Sequence, residues 1–183
     1  MTTIFFRLEI DPMKRNFLSC SLLMAGVFSL SGSAPATETK EEITLVKIKA
    51  SEVEKAIAAH KGKVVVVDVW GEFCAPCKKK FPHLVQLHKD FAKDGLVCIS
   101  LSVDLEENVD GALQFLKKQG ATFPNYILWD NDDNKDKLEP TFAHIAPPII
   151  HVFDRNGKKI QTWEGKIEED KIDKLIAELL KQK

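Results

Sequence analysis

Val64-Val65-Val66-Val67-Asp68-Val69-Trp70-Gly71-Glu72-Phe73-Cys74-Ala75-Pro76-Cys77 is the stretch from which the fold can be read. Residues 64–69 are almost wholly β-branched and bounded by turn-forming residues, as suits a central strand buried on both faces. Such a strand needs a helix against each face. Beyond it, Cys77, Phe81, Leu84, Leu87 and Phe91 recur at helical spacing, with Pro82 expected to bend the helix. Residues 96–103 form a second near-continuous apolar strand, and residues 108–119 a helix closed by Gly120. Strand, helix, strand, helix implies right-handed parallel crossovers.

The pattern extends to both sides. Residues 43–48 alternate like a first strand. Ser51-Glu52-Val53-Glu54 reads as a capping box opening a short helix toward His60. Downstream of Gly120 the signal weakens. Residues 130–136 are an acidic solvated loop, without the glycine and distal glutamate that a calcium loop requires. Two strands over residues 149–153 and 159–162 flank Asp154-Arg155-Asn156-Gly157, a hairpin signal, and residues 167–180 form a final amphipathic helix. The expected architecture is a three-layer α/β sandwich with a central mixed sheet, parallel core strands and a C-terminal β-hairpin.

Of the 183 residues, 26 are basic and 27 acidic, so no strongly signed surface points to nucleic acid or an anionic membrane. Residues 1–36 read as a secretory signal. Met13-Lys14-Arg15 supplies a basic start, residues 18–30 an uncharged apolar run, and Ala34-Pro35-Ala36 a small-residue cleavage site. Glu9 and Asp11 do not suit the basic region of a signal, which makes Met13 a candidate start. The run falls short of the roughly 20 residues of a spanning helix, so cleavage is expected ahead of retention as an anchor. Residues 37–42 would then be a tether and residues 43–183 a single domain, exported beyond the cytoplasmic membrane.

Four cysteines are too few for a disulfide scaffold, and only Cys74 and Cys77 lie close together. At a strand-to-helix junction, Cys74 sits in the first turn, where free N–H groups and the helix dipole favour a thiolate. That is the place of a nucleophile. Cys77, one turn on, can attack a mixed disulfide formed at Cys74 and resolve it. Zinc would need two further ligands at comparable spacing, but no second pair exists and His83 and His88 are dispersed. The histidines are expected on surfaces, and Cys98 as a small buried apolar residue. Gly71 stands where a peroxidatic cysteine has a threonine, which argues against peroxidase chemistry.

The stretch from Val66 to Cys77 resembles the active-site strand and turn of the thioredoxin superfamily. Lys78-Lys79-Lys80-Phe81-Pro82-His83-Leu84 continues like its TlpA-like extracytoplasmic branch. The resemblance covers residues 43–183 and implies a thioredoxin-like fold. It implies that Asp68 is the buried acid that relays the resolving thiol's proton. It also implies that Pro148, followed by Ile149-Ile150-His151-Val152-Phe153-Asp154, is the cis-proline that pairs with substrate backbone. Trp70, Ala75 and Pro76 complete the site in supporting places. Phe73 replaces the usual tryptophan, Lys80 a frequent glutamate and Ile149 a threonine, while Pro147 precedes the cis-proline. These departures touch the face that meets the partner. Lys78, Lys79 and Lys80 could help hold a thiolate, but a lysine run on a helix surface reads first as solvent contact.

The expected activity is disulfide exchange with the thiols of exported proteins, reducing or isomerising, with the Cys74–Cys77 disulfide as redox group. No other cofactor or metal, no nucleic acid and a monomeric state are expected. A membrane thiol-electron donor is implied by the resemblance. The alternatives are a Cu(I)-handling module, since two thiolates suit a soft ion, and a non-catalytic interaction domain.

Overall fold

The computed structural model describes residues 42–129 and 146–182. The expected signal segment, most of the tether and the acidic loop lie outside them. Among the described residues no helix is long and apolar enough to cross a membrane.

One six-stranded mixed sheet organises the chain, in the order β1-β4-β3-β2-β5-β6. β1 (Val46–Ile48), β4 (Asn125–Leu128), β3 (Leu96–Ser102) and β2 (Val64–Trp70) run parallel, while β5 (Ile149–Phe153) pairs antiparallel with β2 and with β6 (Lys159–Glu164). Every residue of β2 and β3 is buried, as the unbroken apolar runs require.

Right-handed crossovers decide which helix covers which face. From β2 through α2 (Ala75–Phe91) to β3, and through α3 (Val109–Gln119) to β4, the chain steps the same way across the sheet, so both helices share a face. From β1 through α1 (Ala50–Ala58) to β2 it steps back, and α1 covers the other. Val64, Val66, Trp70 and Cys98 accordingly pack with Phe81 of α2, Leu116 of α3 and Ile172 and Ile176 of α4 (Glu169–Lys181). Val65, Val67 and Val69 pack with Val53 and Ile57 of α1. Each such valine contributes about 1.5–3 kcal/mol relative to exposure.

The structure departs from the sequence reading in several places: β6 runs on to Glu164 and α4 begins at Glu169. The first strand is confined to Val46–Ile48, with residues 43–45 outside it. α1 begins two residues early, with Lys49 as its cap. The Lys49 N–H donates to Glu52 Oε2 at 3.1 Å, so Glu52 and not Glu54 makes the reciprocal bond. β4 is a strand where the pattern was weakest, held to β3 by Asn125, whose side chain accepts from Ser100 Oγ at 2.8 Å. The helix stripe runs unbroken through Pro82, which is exposed. The hairpin turn closes on Asp154, whose Oδ1 accepts from the N–H groups of Asn156 and Lys158, with Gly157 at φ 80°. From the same turn Arg155 donates to the carbonyls of Leu180 and Gln182, tying the hairpin to the end of α4.

Candidate active site

Cys74 and Cys77 form a disulfide with Cα atoms 5.2 Å apart, where β2 gives way to α2. Cys74 is the N-cap residue of α2, in extended conformation. Its Sγ accepts from the Cys77 N–H at 3.3 Å, the position a serine or aspartate oxygen takes in an ordinary cap. Reduced, that sulfur would be a thiolate held by the free N–H groups and positive end of α2. Pro76 lies in the first turn, where its missing N–H leaves nothing unsatisfied. Cys74 is 6% exposed and Cys77 0%, so Cys74 alone meets solvent.

Asp68, 1% exposed, is the fifth of the seven residues of β2, the strand that leads to the cysteine turn. Strand alternation puts it on the face of Val66 and Trp70, the face that α2 covers with Cys77 and Phe81. Lys80, three residues after Cys77, turns inward from α2 with its side chain 9% exposed, and its Nζ donates to Asp68 Oδ1 at 2.5 Å. Among the described residues nothing hydrogen-bonds to Asp68 Oδ2, which is equally buried. Burial pushes the Asp68 carboxyl above its ordinary range, against the opposing pull of the Lys80 charge and hydrogen bond and the weaker pull of His83. The expectation that the lysine run only meets solvent therefore fails at Lys80. Lys80 flanks the buried stripe of Cys77 and Phe81, and its long side chain reaches from there under the helix to a buried acceptor. Lys79 is exposed, and Lys78 pairs with Glu72 at 3.2 Å.

Asp104, which the sequence reading missed, closes the loop in front of Cys74. It follows β3 and is 1% exposed. Its two carboxylate oxygens accept from the Glu72 N–H at 2.8 and 2.9 Å, and Oδ2 also accepts from Ser102 Oγ at 2.7 Å. The Val103 N–H donates to the Trp70 carbonyl at 2.9 Å, so residues 70–72 are stitched to residues 102–104. Burial raises the Asp104 carboxyl too, with the hydrogen bonds from Ser102 and Glu72 pulling the other way. The available signal was Ser102-Val103-Asp104, polar groups ending an apolar strand beside a cysteine loop.

The Pro147–Pro148 peptide bond is cis. Because Ile149 pairs with Val69, Pro148 stands level with the Trp70 end of β2, where the chain turns toward Cys74. The Trp70 ring is buried against Phe81 and Phe115, with ring centroids 5.2 and 5.0 Å away. Phe73 is 66% exposed beside the disulfide. Its ring lies so close over Gly71 that a Cβ there would come within 2.5 Å of it. Cys98 is fully buried, and burial together with nearby Asp68 pushes its thiol far up, out of reach of exchange. The expectation of surface histidines fails at His151. It is 3% exposed because β5 is interior, its Nδ1 lies 2.9 Å from Thr162 Oγ1, and burial lowers it to about 4.

A pair of sulfurs that closes into a disulfide at a helix start works by exchanging that bond, and here it sits at the edge of a thioredoxin frame. The class is therefore that of the thioredoxin-fold thiol–disulfide oxidoreductases. More narrowly, the chain belongs to the AhpC/TSA family, whose model matches residues 33–158. Thiol-disulfide oxidoreductase ResA of Bacillus cereus is 24% identical over 157 residues, covering 86% of both chains. Sporulation thiol-disulfide oxidoreductase A of Bacillus subtilis is 24% identical over 173 residues, covering 93% of this chain and 97% of the relative. A thiol:disulfide interchange protein of Chlorobium tepidum has the same fold, with a TM-score of 0.55 and 22% identity over 67% of this chain and 83% of the other. These relatives bear out the resemblance to the TlpA-like branch.

Proposed function

We propose that the protein exchanges disulfides with the thiols of exported proteins beyond the cytoplasmic membrane, in the reducing or isomerising direction. The observation that carries this reading is the Cys74 sulfur as cap of α2, with Cys77 directly behind it and closed to solvent. In the reducing direction the Cys74 thiolate attacks a substrate disulfide, giving a Cys74–substrate mixed disulfide and one substrate thiol. Cys77 then attacks Cys74 Sγ, and the second substrate thiol leaves. In the oxidising direction the same steps run backward.

Cys77 must lose a proton as it attacks, and Asp68 is a buried carboxylate on the face of the sheet that α2 covers. With its pKa raised by burial, Asp68 suits a base acting near neutrality. Pro148 and exposed Phe73 flank the place where an extended substrate segment would lie, with Trp70, Ala75 and Pro76 shaping its floor and rim. The sulfurs themselves are the redox group, so no further cofactor or metal is needed, and a monomer suffices. A membrane thiol carrier is the donor that a reducing role beyond the membrane would require. Residues 1–36 support export, with the mature chain beginning near Thr37.

The deciding experiment measures the reduction potential of the Cys74–Cys77 couple, together with insulin reduction by the wild type and by Cys77→Ser. A strongly reducing couple, turnover by the wild type, and mixed disulfides trapped at Cys74 in Cys77→Ser are expected. A strongly oxidising potential reverses the direction. Absence of turnover and trapping with folded protein leaves the interaction-domain reading. N-terminal sequencing that found Met1 or Met13 intact in a cytoplasmic fraction would remove export.

A further inference from the structure

Lys80 is the one lysine of its run that the fold turns inward, and it meets a carboxylate only half satisfied. Asp68 Oδ1 takes the ammonium, while Oδ2, equally buried, has no hydrogen-bond partner among the described residues. A carboxylate in an apolar layer with no countercharge protonates, and a protonated carboxyl cannot accept another proton at the same oxygen. A carboxylate hydrogen-bonded by donors at both oxygens is a weaker base, because those bonds stabilise its ionised form. The pair found here avoids both outcomes.

The other charged and titratable neighbours do not offer the same service. His83, also on α2, adds a weaker pull on Asp68, but its Nε2 lies 2.8 Å from Asp173 Oδ1 of α4, which draws it toward another acid. On β3 the titratable neighbour is Cys98, whose thiol stays protonated and whose interaction with Asp68 is repulsive. The β5 residue paired with Asp68 is Ile150, and β5 brings no charge to that register position. Among the described residues, Cys74 and Cys77 are the other titratable groups on this side, and they are the reacting ones.

We propose that Lys80 is a positioning residue of the exchange reaction, neutralising Asp68 through Oδ1 so that Oδ2 stays an open, ionised acceptor for the Cys77 proton. This rests on the exchange reading given above. As Cys77 attacks the mixed disulfide, its S–H bond breaks and the proton passes to Asp68 Oδ2. The Cys74–Cys77 bond forms, the bond from Cys74 to the leaving sulfur breaks, and the thiolate departs with that electron pair. In this step the Cys77 sulfur is oxidised from thiol to disulfide, the departing sulfur is reduced to thiolate, and the Cys74 sulfur stays at the disulfide level. Lys80 stays hydrogen-bonded to Oδ1 and takes no part in the proton transfer.

Rapid mixing of the reduced full-length chain with Ellman's disulfide separates the steps. Attack by Cys74 releases one coloured thiolate, and attack by Cys77 on the resulting mixed disulfide releases a second. Lys80→Met is expected to slow the second release by about tenfold or more at pH 7 and to move the midpoint of its pH profile at least about one unit alkaline. The two proteins should converge at high pH. Lys80→Arg should restore the midpoint. In an Asp68→Asn background, adding Lys80→Met should produce no further displacement.

A wild-type midpoint in Lys80→Met, whatever happens to its thermal stability, would reduce Lys80 to a support of the fold and overturn the proposal. An equal displacement in the Asp68→Asn background would overturn it too, because Lys80 would then act on a thiol without Asp68. A wild-type second release in Asp68→Asn would instead remove the base itself, a separate failure. If Lys80→Met does not fold, Lys80→Gln keeps a donor without the charge and supports the same comparison.

Discussion

Asp68 and Asp104 are two carboxylates buried to the same degree toward the same end of neighbouring parallel strands, yet their oxygens are treated in opposite ways. Asp104 receives a backbone N–H and a hydroxyl, and it fixes the loop that delivers Cys74. Asp68 receives a single ammonium, and among the described residues nothing hydrogen-bonds to its other oxygen. Burial raises both, so burial and a raised pKa do not separate a structural acid from a reactive one. Oxygens saturated by neutral donors hold geometry in place. An oxygen left open beside a fixed countercharge can take a proton.

The largest expected effect comes from the structural member. Asp104→Ala leaves the part-buried Glu72 N–H and the buried Ser102 hydroxyl without their acceptor and should destabilise the fold by about 2–5 kcal/mol. Chemical denaturation would show this as a lower midpoint. The pH profile of the second thiolate release should keep its shape, because Asp68 and Lys80 are untouched. A displaced profile with unchanged stability would exchange the roles of the two acids and break the comparison.

Next is a pH effect on stability in which His151 and the carboxylates oppose one another. His151 is held neutral down to about 4, against an ordinary 6.5 in the unfolded chain. Between those values the unfolded state binds more protons. The stability from its neutral form is therefore complete above about pH 6.5 and lost as pH falls toward 4, by about 3 kcal/mol at most. For Asp68 and Asp104 the native state binds more protons than the unfolded chain, so their contribution falls as pH rises above the ordinary carboxylate range. His151→Gln should remove the rise between pH 4 and 6.5 and uncover the opposite slope. Denaturation midpoints at half-unit intervals would test it, and an unchanged rise in the variant would assign it to other groups.

Third is the reactive member. Asp68→Asn keeps a carbonyl oxygen for Lys80 but offers no base, so the second thiolate release should slow about 10- to 100-fold near neutrality while the first proceeds. Alkylation of the reduced protein should still modify Cys74 ahead of Cys77. Fast modification of Cys77 with Cys74 unreactive would reverse their assignment.

The sequence made one of these acids visible and hid the other. Asp68 interrupts a valine run six residues before a cysteine, so a charge in a strand buried on both faces stands out locally. Asp104 acquires its role only when β3 pairs with β2 and brings it to Glu72, 32 residues away in the chain. No local pattern carries that register. The same limit explains β4, where Asn125-Tyr126-Ile127-Leu128 is too short for alternation to show and becomes a strand by pairing with β3 and β1. It also explains Lys80, because periodicity puts Lys78 and Lys80 alike at the borders of the buried stripe and leaves open that one of them meets a buried acid. The central strand, the cysteine junction and the hairpin were legible because each is marked by its own residues.

Lys78 supplies the smallest and most discriminating effect, since it stands two residues from Lys80 and belongs to the Asp104 side of the comparison. Its ammonium lies 3.2 Å from Glu72 Oε1, on the residue whose backbone N–H Asp104 holds. The two side chains are 35% and 42% exposed, against 9% and 1% for Lys80 and Asp68. Water screens the first pair, and a surface ion pair of this kind contributes about 0–1 kcal/mol. Removing one partner from a buried pair costs about 3–5 kcal/mol, because the other charge is left unpaired. Lys78→Ala should therefore change stability by less than about 1 kcal/mol, with that small loss fading as salt is added. It should leave the pH midpoint of the second thiolate release in place. Measured beside Lys80→Met, it controls for loss of positive charge from the same turn of α2. If Lys78→Ala moved the midpoint as far as Lys80→Met does, the effect would belong to the general positive field near the cysteines, and the distinction between a saturated and an open carboxylate would lose its chemical meaning.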